Sequence, residues 1–262
     1  MIDIIVIAVV FVFVTYLVLF FSQRKLIYRA PHPSYLLYKK YKNQSLVLTT
    51  SDFTNLYGWC IPTQSEISSN IEIIYFGGNA QDSCTILKTL SFLPAQDIFT
   101  FNYRGYGQSE GYPSEKTLCR DSLEIFDLVR SKNPKSKIVV IGYSLGSSIA
   151  GYLATRREVH KLVLLCPLSS ISRIASERFL IPRIVIKDSF DLERTAKKIE
   201  ANSLVILAEN DLDIPASHSR SVYENISGQK LLKVITNENH NTIFDSKETI
   251  SSINAFIQHD NR

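Results

Sequence analysis

Apolar and polar stretches alternate along the chain in a pattern that predicts strands and helices in regular succession. Short, almost continuous apolar runs bounded by Gly, Pro and Asn are typical of strands buried on both faces. We predict such strands over residues 71–76, 98–102, 137–141, 161–166, 204–208 and 231–235. Helical periodicity or helix-start signals between and after them predict helices over 83–92, 114–134, 145–156 and 242–257. This alternation predicts an α/β fold, with a mostly parallel central sheet and helices on both faces.

Two regions depart from the alternation. Upstream of the first buried strand, β-rich runs over 45–50 and 56–61 predict an antiparallel hairpin. Residues 168–200 contain a proline, scattered charges and isolated apolar pairs in place of a continuous strand or helix pattern. We interpret this second stretch as a short helical cap, or lid, over the carboxyl ends of the strands.

The N-terminal stretch 4–21 contains no charged residue. As a helix it would extend about 27 Å, close to the thickness of a bilayer core. A signal peptide would carry a basic segment before this stretch and a small-residue cleavage site after it, and neither is present. The sequence therefore predicts an uncleaved membrane anchor over 1–25 and a globular domain over 26–262. Arg24, Lys25 and Arg29 follow the apolar stretch, so the positive-inside rule favours a cytoplasmic location for the domain.

Composition narrows the class of protein. The chain has 262 residues, 45% of them hydrophobic and 21% charged, which excludes a disordered protein and permits one large α/β domain. The net charge of +4 is small and scattered, so we expect no nucleic-acid partner. The four cysteines lie far apart, which favours buried thiols over disulfides or metal ligands. Neither cysteine nor histidine has zinc-site spacing, and we expect no metal and no other cofactor.

A candidate nucleophile lies where the strand over 137–141 meets the following helix. Ser144 stands at the centre of a Gly-x-Ser-x-Gly sequence, flanked by Gly142 and Gly146. Such a turn lifts the serine hydroxyl clear of the backbone, and the glycines let the strand and the helix pass closely. A serine hydroxyl is a poor nucleophile by itself, so the chain must supply a base, an acid and donors for an oxyanion.

Candidates for the base and the acid follow later strands, because ligands of parallel sheets bind beyond the carboxyl ends of the strands. His240 follows the last predicted strand in a loop. The other histidines lie between prolines, before a strand, in a predicted helix or in the C-terminal tail: His32, His160, His218 and His259. Asp211 follows the strand over 204–208 and is the favoured acid, with Asp213 in the same loop as the alternative.

An oxyanion hole needs two backbone N–H groups. The residue after the nucleophile, Leu145, would offer one of them at the N-terminus of a helix. The loop after the strand over 71–76 would offer the other, and Asn79 is the candidate. A simple turn is the alternative interpretation of this glycine-containing loop.

These motifs resemble the α/β-hydrolase superfamily, within it the membrane-anchored Bem46-like branch with its ABHD-type members. The matching segments are Tyr75-Phe76-Gly77-Gly78-Asn79-Ala80, Asn102-Tyr103-Arg104-Gly105-Tyr106-Gly107-Gln108-Ser109-Glu110-Gly111, Gly142 to Gly146, Asp211-Leu212-Asp213-Ile214-Pro215 and Asn239-His240-Asn241. The resemblance implies an α/β-hydrolase fold, Asp211 as the acid, and Asn79 and Leu145 as the oxyanion donors. Gly77 stands where the family usually has a histidine. The resemblance implies that this histidine helps to order the loop and that the oxyanion donors are backbone groups, so we expect activity to survive.

The sequence thus predicts a serine hydrolase that cleaves carboxylic ester or thioester bonds through an acyl-enzyme on Ser144. The anchor suggests a lipid-like or acylated substrate. Peptidase or amidase activity uses the same triad and stays open. A non-catalytic, membrane-tethered binding protein is a further alternative, for which Gly77 is the support. The sequence makes no prediction of the oligomeric state.

Overall fold

A computed structural model describes residues 2–64 and 70–259, and within them eight strands form one sheet. The strands are β1 (Ser45–Thr49), β2 (Asn55–Pro62), β3 (Ile71–Phe76), β4 (Asp97–Phe101), β5 (Lys137–Tyr143), β6 (Lys161–Leu165), β7 (Asn202–Ala208) and β8 (Lys230–Ile235). Their order is β1-β2-β4-β3-β5-β6-β7-β8. Strands β1 and β2 form the predicted antiparallel hairpin, β2 pairs antiparallel with β4, and every pair from β4 through β8 is parallel. The predicted, mostly parallel sheet is confirmed.

Helices cover both faces of this sheet. The helices of the described residues are α1 (Ile2–Ile27), α2 (Tyr35–Lys40), α3 (Leu87–Leu90), α4 (Glu115–Lys132), α5 (Leu145–Ala154), α6 (Ile171–Phe179), α7 (Leu192–Ala196), α8 (Ala216–Asn225) and α9 (Lys247–Gln258). Along β5, Val140 packs in one apolar cluster with α4 and α5, while Val139 and Ile141 pack in a second cluster with α3 and α9. The strand is apolar on both faces because both are covered.

The helix bounds differ from the prediction in two places. The stretch predicted as a helix over 83–92 is a 3₁₀ turn, Ser83–Ile86, followed by the short α3. The last helix begins at Lys247 rather than at 242, because Asn239 and Thr242 bond to each other's backbone N–H groups in the preceding turn. Short polar side chains that bond to nearby backbone compete with helix formation. The predicted start of α4 holds, since Ser114 and Thr117 form a capping box.

Helix α1 is the one helix in the described part of the chain that is long and apolar enough to cross a membrane, with a mean hydropathy of 3.2 over an 18-residue window within Ile4–Ile27. It extends two residues beyond the predicted anchor boundary at residue 25. The predicted cap stretch divides into two parts. Helix α6 is mostly exposed or half-buried, whereas Leu192 and Ala196 of α7 are buried in the core.

Candidate active site

Ser144 occupies a strained turn between β5 and α5, with φ 52° and ψ −116°. The two flanking glycines make this turn possible. A Cβ on Gly146 would lie 2.1 Å from the Phe76 carbonyl oxygen, and a Cβ on Gly142 would lie 2.5 Å from the Gly146 carbonyl oxygen. A larger residue at either position would push the helix away from the sheet. The backbone therefore holds the serine at the carboxyl end of the central strand, as the motif predicts.

The structure brings Ser144, His240 and Asp211 into one hydrogen-bonded line. His240 Nε2 lies 2.9 Å from the Ser144 hydroxyl oxygen, and His240 Nδ1 lies 2.7 Å from Asp211 Oδ2. All three residues are buried, each 8% exposed. With Nδ1 protonated and donating to the carboxylate, Nε2 is left as the acceptor for the serine proton.

Asp211, and not Asp213, faces the histidine. The second oxygen of the Asp211 carboxylate accepts hydrogen bonds from the backbone N–H groups of Asp213 and Ile214, at 3.0 and 2.7 Å. These bonds orient the carboxylate toward the imidazole. The side chain of Asp213 is exposed, and its carbonyl oxygen accepts a hydrogen bond from Arg178.

Tyr143 holds the histidine loop in place, a role that the sequence reasoning missed. Its hydroxyl donates to the His240 carbonyl oxygen at 2.7 Å, and its ring lies 5.2 Å from the imidazole ring. Burial raises the pKa of Tyr143 above its usual range, so the hydroxyl stays a donor. The residue occupies the first variable position of the Gly-x-Ser-x-Gly motif. The motif alone therefore carries no signal for it.

The two residues predicted as oxyanion donors, Asn79 and Leu145, line the same cavity as Ser144. Leu145 begins α5, and the first N–H groups of a helix have no partner within it. The Asn79 side chain faces away toward the segment after α1. Its Oδ1 accepts from Tyr106 at 2.7 Å and from the Arg29 N–H at 3.1 Å, and its amide nitrogen donates to the Ile27 carbonyl.

Gln81 fills the space beside Gly77, where the family usually has a histidine. A Cβ on Gly77 would lie 2.7 Å from Gln81 Oε1. That oxygen accepts hydrogen bonds from the Gly78 N–H at 3.1 Å and the Tyr75 hydroxyl at 2.8 Å. The Tyr103 hydroxyl donates to the Gly77 carbonyl at 2.6 Å. The loop that carries Asn79 is therefore ordered by a different set of side chains.

Two cavities meet at Ser144. An apolar cavity of about 610 Å³ lies between the C-terminal end of α1 and α6, with Leu145 and Leu168 among its lining residues. A more polar cavity of about 400 Å³ lies on the His240 side, and Asp82 and Asn241 contribute to its wall. His32, which lies between two prolines, also lines this polar cavity. A bound molecule at Ser144 would thus have an apolar half and a polar half.

Cys166 lies next to the histidine–aspartate pair. One potential ligand atom from each of Cys166, Asp211 and His240 falls within 4.8 Å of the others, a spacing that a metal ion could bridge. Burial raises the pKa of the Cys166 thiol, so the thiol is protonated when no metal is bound. Both Asp211 oxygens already accept hydrogen bonds. The donor set therefore fits a hydrogen-bonded acid better than a metal site.

A second serine–histidine–carboxylate set lies under the cap. His218 of α8 places Nδ1 2.7 Å from the Ser169 hydroxyl oxygen and Nε2 3.1 Å from the Glu177 carboxylate on α6. Ser169 is fully buried. The sequence reasoning assigned His218 correctly to a helix, but it had no signal for these two partners.

Comparisons with known proteins bear on the family and the fold of the chain. A family model described as alpha/beta hydrolase fold matches residues 76–196. Uncharacterized protein YfhR of Salmonella typhi is 30% identical over 69% of this chain and 68% of its own length. Lysophosphatidylserine lipase ABHD12 of Macaca fascicularis is 29% identical over 60% of this chain, which spans 45% of that relative. The Pyrococcus furiosus esterase Pf2001 has a similar structure, with a TM-score of 0.66, 21% identity, and coverage of 82% of this chain and 91% of that one.

Proposed function

The chain belongs to the α/β-hydrolase family, and on that premise we propose that it is a serine hydrolase that cleaves carboxylic ester or thioester bonds. The observation that carries the proposal is the unbroken hydrogen-bonded line from Asp211 through His240 to Ser144, which ends where two cavities meet. Lipase and esterase names among the relative and the structural neighbour are consistent with it.

In the proposed reaction, His240 Nε2 takes the proton of the Ser144 hydroxyl while the oxygen attacks the carbonyl carbon of the substrate. The backbone N–H groups of Leu145 and Asn79 stabilise the resulting oxyanion. The intermediate then collapses to an acyl-enzyme, and the leaving group takes the proton from His240. Water then attacks the acyl carbon while His240 takes one of its protons. The bond to Ser144 breaks, the Ser144 oxygen takes the proton from His240, and the carboxylic acid product leaves. Asp211 orients the imidazole and stabilises its protonated form.

The two cavities suggest how a substrate would lie. The leaving group must be near His240 to receive its proton, so it belongs in the polar cavity that His240 lines. The acyl chain then belongs in the apolar cavity, whose lining is predominantly aliphatic. A volume of about 610 Å³ is within the range of small-molecule sites in proteins. This division favours an ester or thioester with a long acyl chain.

Helix α1 supports a membrane location. We propose that it is an anchor that extends to Ile27, and that the domain after it faces the cytoplasm because basic residues follow the apolar segment. Lipid-like or acylated molecules in the same membrane would then be the substrate class. A reporter fused to the C-terminus tests the orientation. A reporter signal only from the non-cytoplasmic side of the membrane would contradict the proposed cytoplasmic location of the domain.

The experiment that tests the proposed function is labelling of the full chain with a fluorophosphonate probe, together with hydrolysis of p-nitrophenyl esters and thioesters. We expect the wild type to be labelled and active, and a folded Ser144→Ala variant to be unlabelled and inactive. A folded wild type that is neither labelled nor active would overturn the proposal. A matched set of amides in the same assay tests the alternative of peptidase or amidase activity.

The non-catalytic alternative rested on Gly77. Gln81 now occupies the space beside Gly77 and orders the loop through two hydrogen bonds, so the missing histidine is weak support for a lost active site. A Gln81→Ala variant tests this role. We expect weaker turnover with intact fluorophosphonate labelling after long incubation, and unchanged turnover would show that Gln81 has no part in ordering the loop.

A further inference from the structure

The C-terminal end of the anchor helix lines the apolar cavity that opens onto Ser144. We propose that this end of α1 is a wall of the acyl-binding site and sets the preference for acyl-chain length. The proposal rests on the proposed function, because it needs an acyl chain in the apolar cavity. It goes further in assigning to the membrane-spanning segment a direct role in substrate selection.

The cavity-lining residues of α1 share one face of the helix. Leu19, Gln23, Leu26 and Ile27 line the cavity, and their spacing of four, three and one residues places them on one side. The span from Leu19 to Ile27 covers about 12 Å of helix. This face is therefore long enough to lie along several methylene groups of a chain.

The opposite wall comes from α6 and the segment after it. Ile171, Ile174, Ala175 and Phe179 line the cavity from α6. Phe179 is 69% exposed, and Leu26 on the α1 side is 58% exposed. Large apolar side chains of both walls are thus exposed. Leu26 belongs to the last turns of the helix that is apolar enough to span a bilayer.

Polar contacts between α1 and the segment after α6 keep this wall in place. Gln23 is 5% exposed, and its amide donates to the Val185 carbonyl at 3.0 Å and accepts from the Lys187 N–H at 2.7 Å. Arg24 pairs with the buried Asp188 at 2.9 Å. A buried amide is costly without partners, so these contacts favour one position of the helix over others.

Contacts beyond the end of α1 join it to the loop of the proposed oxyanion donor. The Ile27 carbonyl accepts from the Asn79 side chain, and the Arg29 N–H donates to the same side chain at 3.1 Å. Asn79 and Ile27 line the cavity together with Ser144. The acyl carbons nearest the reacting carbonyl would therefore lie next to the end of α1.

Chain-length selectivity of the full-length protein in nanodiscs tests the proposal. Leu19→Trp fills the cavity from the α1 side. Val18→Trp is the matched control, because Val18 is the neighbouring residue, is 59% exposed and does not line the cavity. We expect Leu19→Trp to lower kcat/KM for a sixteen-carbon ester about tenfold or more while changing a four-carbon ester less than about twofold. Val18→Trp should leave both esters at the wild-type rate.

Two outcomes would overturn the proposal: an unchanged chain-length profile in Leu19→Trp, or an equal loss on both esters. A wild type that takes the fluorophosphonate label while Leu19→Trp keeps the wild-type profile contradicts this inference alone. A wild type that is unlabelled and hydrolyses neither ester contradicts the proposed function, and this inference with it.

A second measurement uses the wild type and does not depend on whether the variant folds. A long-chain alkyl fluorophosphonate with a diazirine on its chain would attach to Ser144 and cross-link to whatever surrounds the chain. We expect cross-linked peptides from residues 19–27 as well as from α6. Cross-links to α6 with none to α1 would overturn the proposal.

Discussion

The two serine–histidine–carboxylate sets of this molecule contain the same kinds of side chain in different surroundings. In the first, His240 lies 2.9 Å from Ser144 and 2.7 Å from Asp211. In the second, His218 lies 2.7 Å from Ser169 and 3.1 Å from Glu177. The distances alone do not separate a nucleophile from a structural contact.

Position and access separate them. Ser144 stands at a strained turn before a helix N-terminus and lines both cavities, whereas Ser169 is fully buried in the loop between β6 and α6. The histidine nitrogens are also used in opposite ways, since His218 contacts its serine through Nδ1. Because Glu177 belongs to α6 and His218 to α8, the second set connects the cap helix to the domain. We infer that the Ser144 set is a reactive site. We infer that the Ser169–His218–Glu177 set is a structural contact between α6 and α8, and we call it the structural clip.

The largest contrast is expected from the two carboxylates. Asp211→Asn should lower kcat about 10³- to 10⁴-fold, because the amide no longer holds the imidazole in the tautomer that accepts the serine proton. Glu177→Gln should change kcat less than about threefold, because the clip takes no part in the reaction. Steady-state ester hydrolysis measures both. Asp213→Asn is the control within the acid loop, and a large loss there instead would show that Asp213 is the acid.

Replacing the two histidines should have different effects: loss of His218 should lower stability, and loss of His240 should lower activity. His218→Ala should lower the free energy of unfolding by about 2–3 kcal/mol, since it leaves a cavity and an unpaired buried hydroxyl, with little change in kcat/KM. His240→Ala should lower kcat at least about 10³-fold. Denaturant unfolding and ester hydrolysis on the same samples measure the two effects. Loss of activity in both variants with no loss of stability would break the distinction.

The two serines should also differ, but the expected change in stability is smaller. Ser169→Ala should destabilise the protein by about 1 kcal/mol, because it removes one hydrogen bond to a buried imidazole. Fluorophosphonate labelling of this variant should equal that of the wild type. Reduced labelling in Ser169→Ala with normal stability would mean that the second serine also reacts.

The smallest expected effect is on the pH dependence of stability. Burial lowers the pKa of His218, and the nearby Arg173 and Arg178 of α6 lower it further, while Glu177 opposes them. The unfolded chain therefore binds a proton at this residue at a higher pH than the folded chain does. Stability should fall as the pH drops below the ordinary histidine value of 6.5 and toward the lowered pKa. The Tm of His218→Gln should fall less than that of the wild type between pH 7 and 5.5, and equal slopes would contradict the assignment.

Patterns in short stretches of sequence predicted the strands, turns and helices that depend mainly on nearby residues. The run of β-branched residues before Ser144 and the flanking glycines predict the strand, turn and helix, because burial on both faces and close backbone approach depend on those residues alone. His240 and Asp211 were predicted from their positions after strands. The last helix was predicted too early, because the pairing of Asn239 with Thr242 is a side-chain competition that apolar periodicity does not report.

By itself, then, the sequence determined the order of strands and helices, the anchor-length apolar helix, the candidate nucleophile and the small set of partners for it. Only the tertiary structure showed the Asp211 carboxylate in contact with His240, put Gln81 beside Gly77, and joined His218 to Ser169 and Glu177. It alone brought the end of α1 against the apolar cavity, where Gln23 bonds to the Val185 carbonyl 162 residues away. The physical reason is that periodicity encodes which face of each element is buried, whereas contacts between distant segments depend on how those faces pack together.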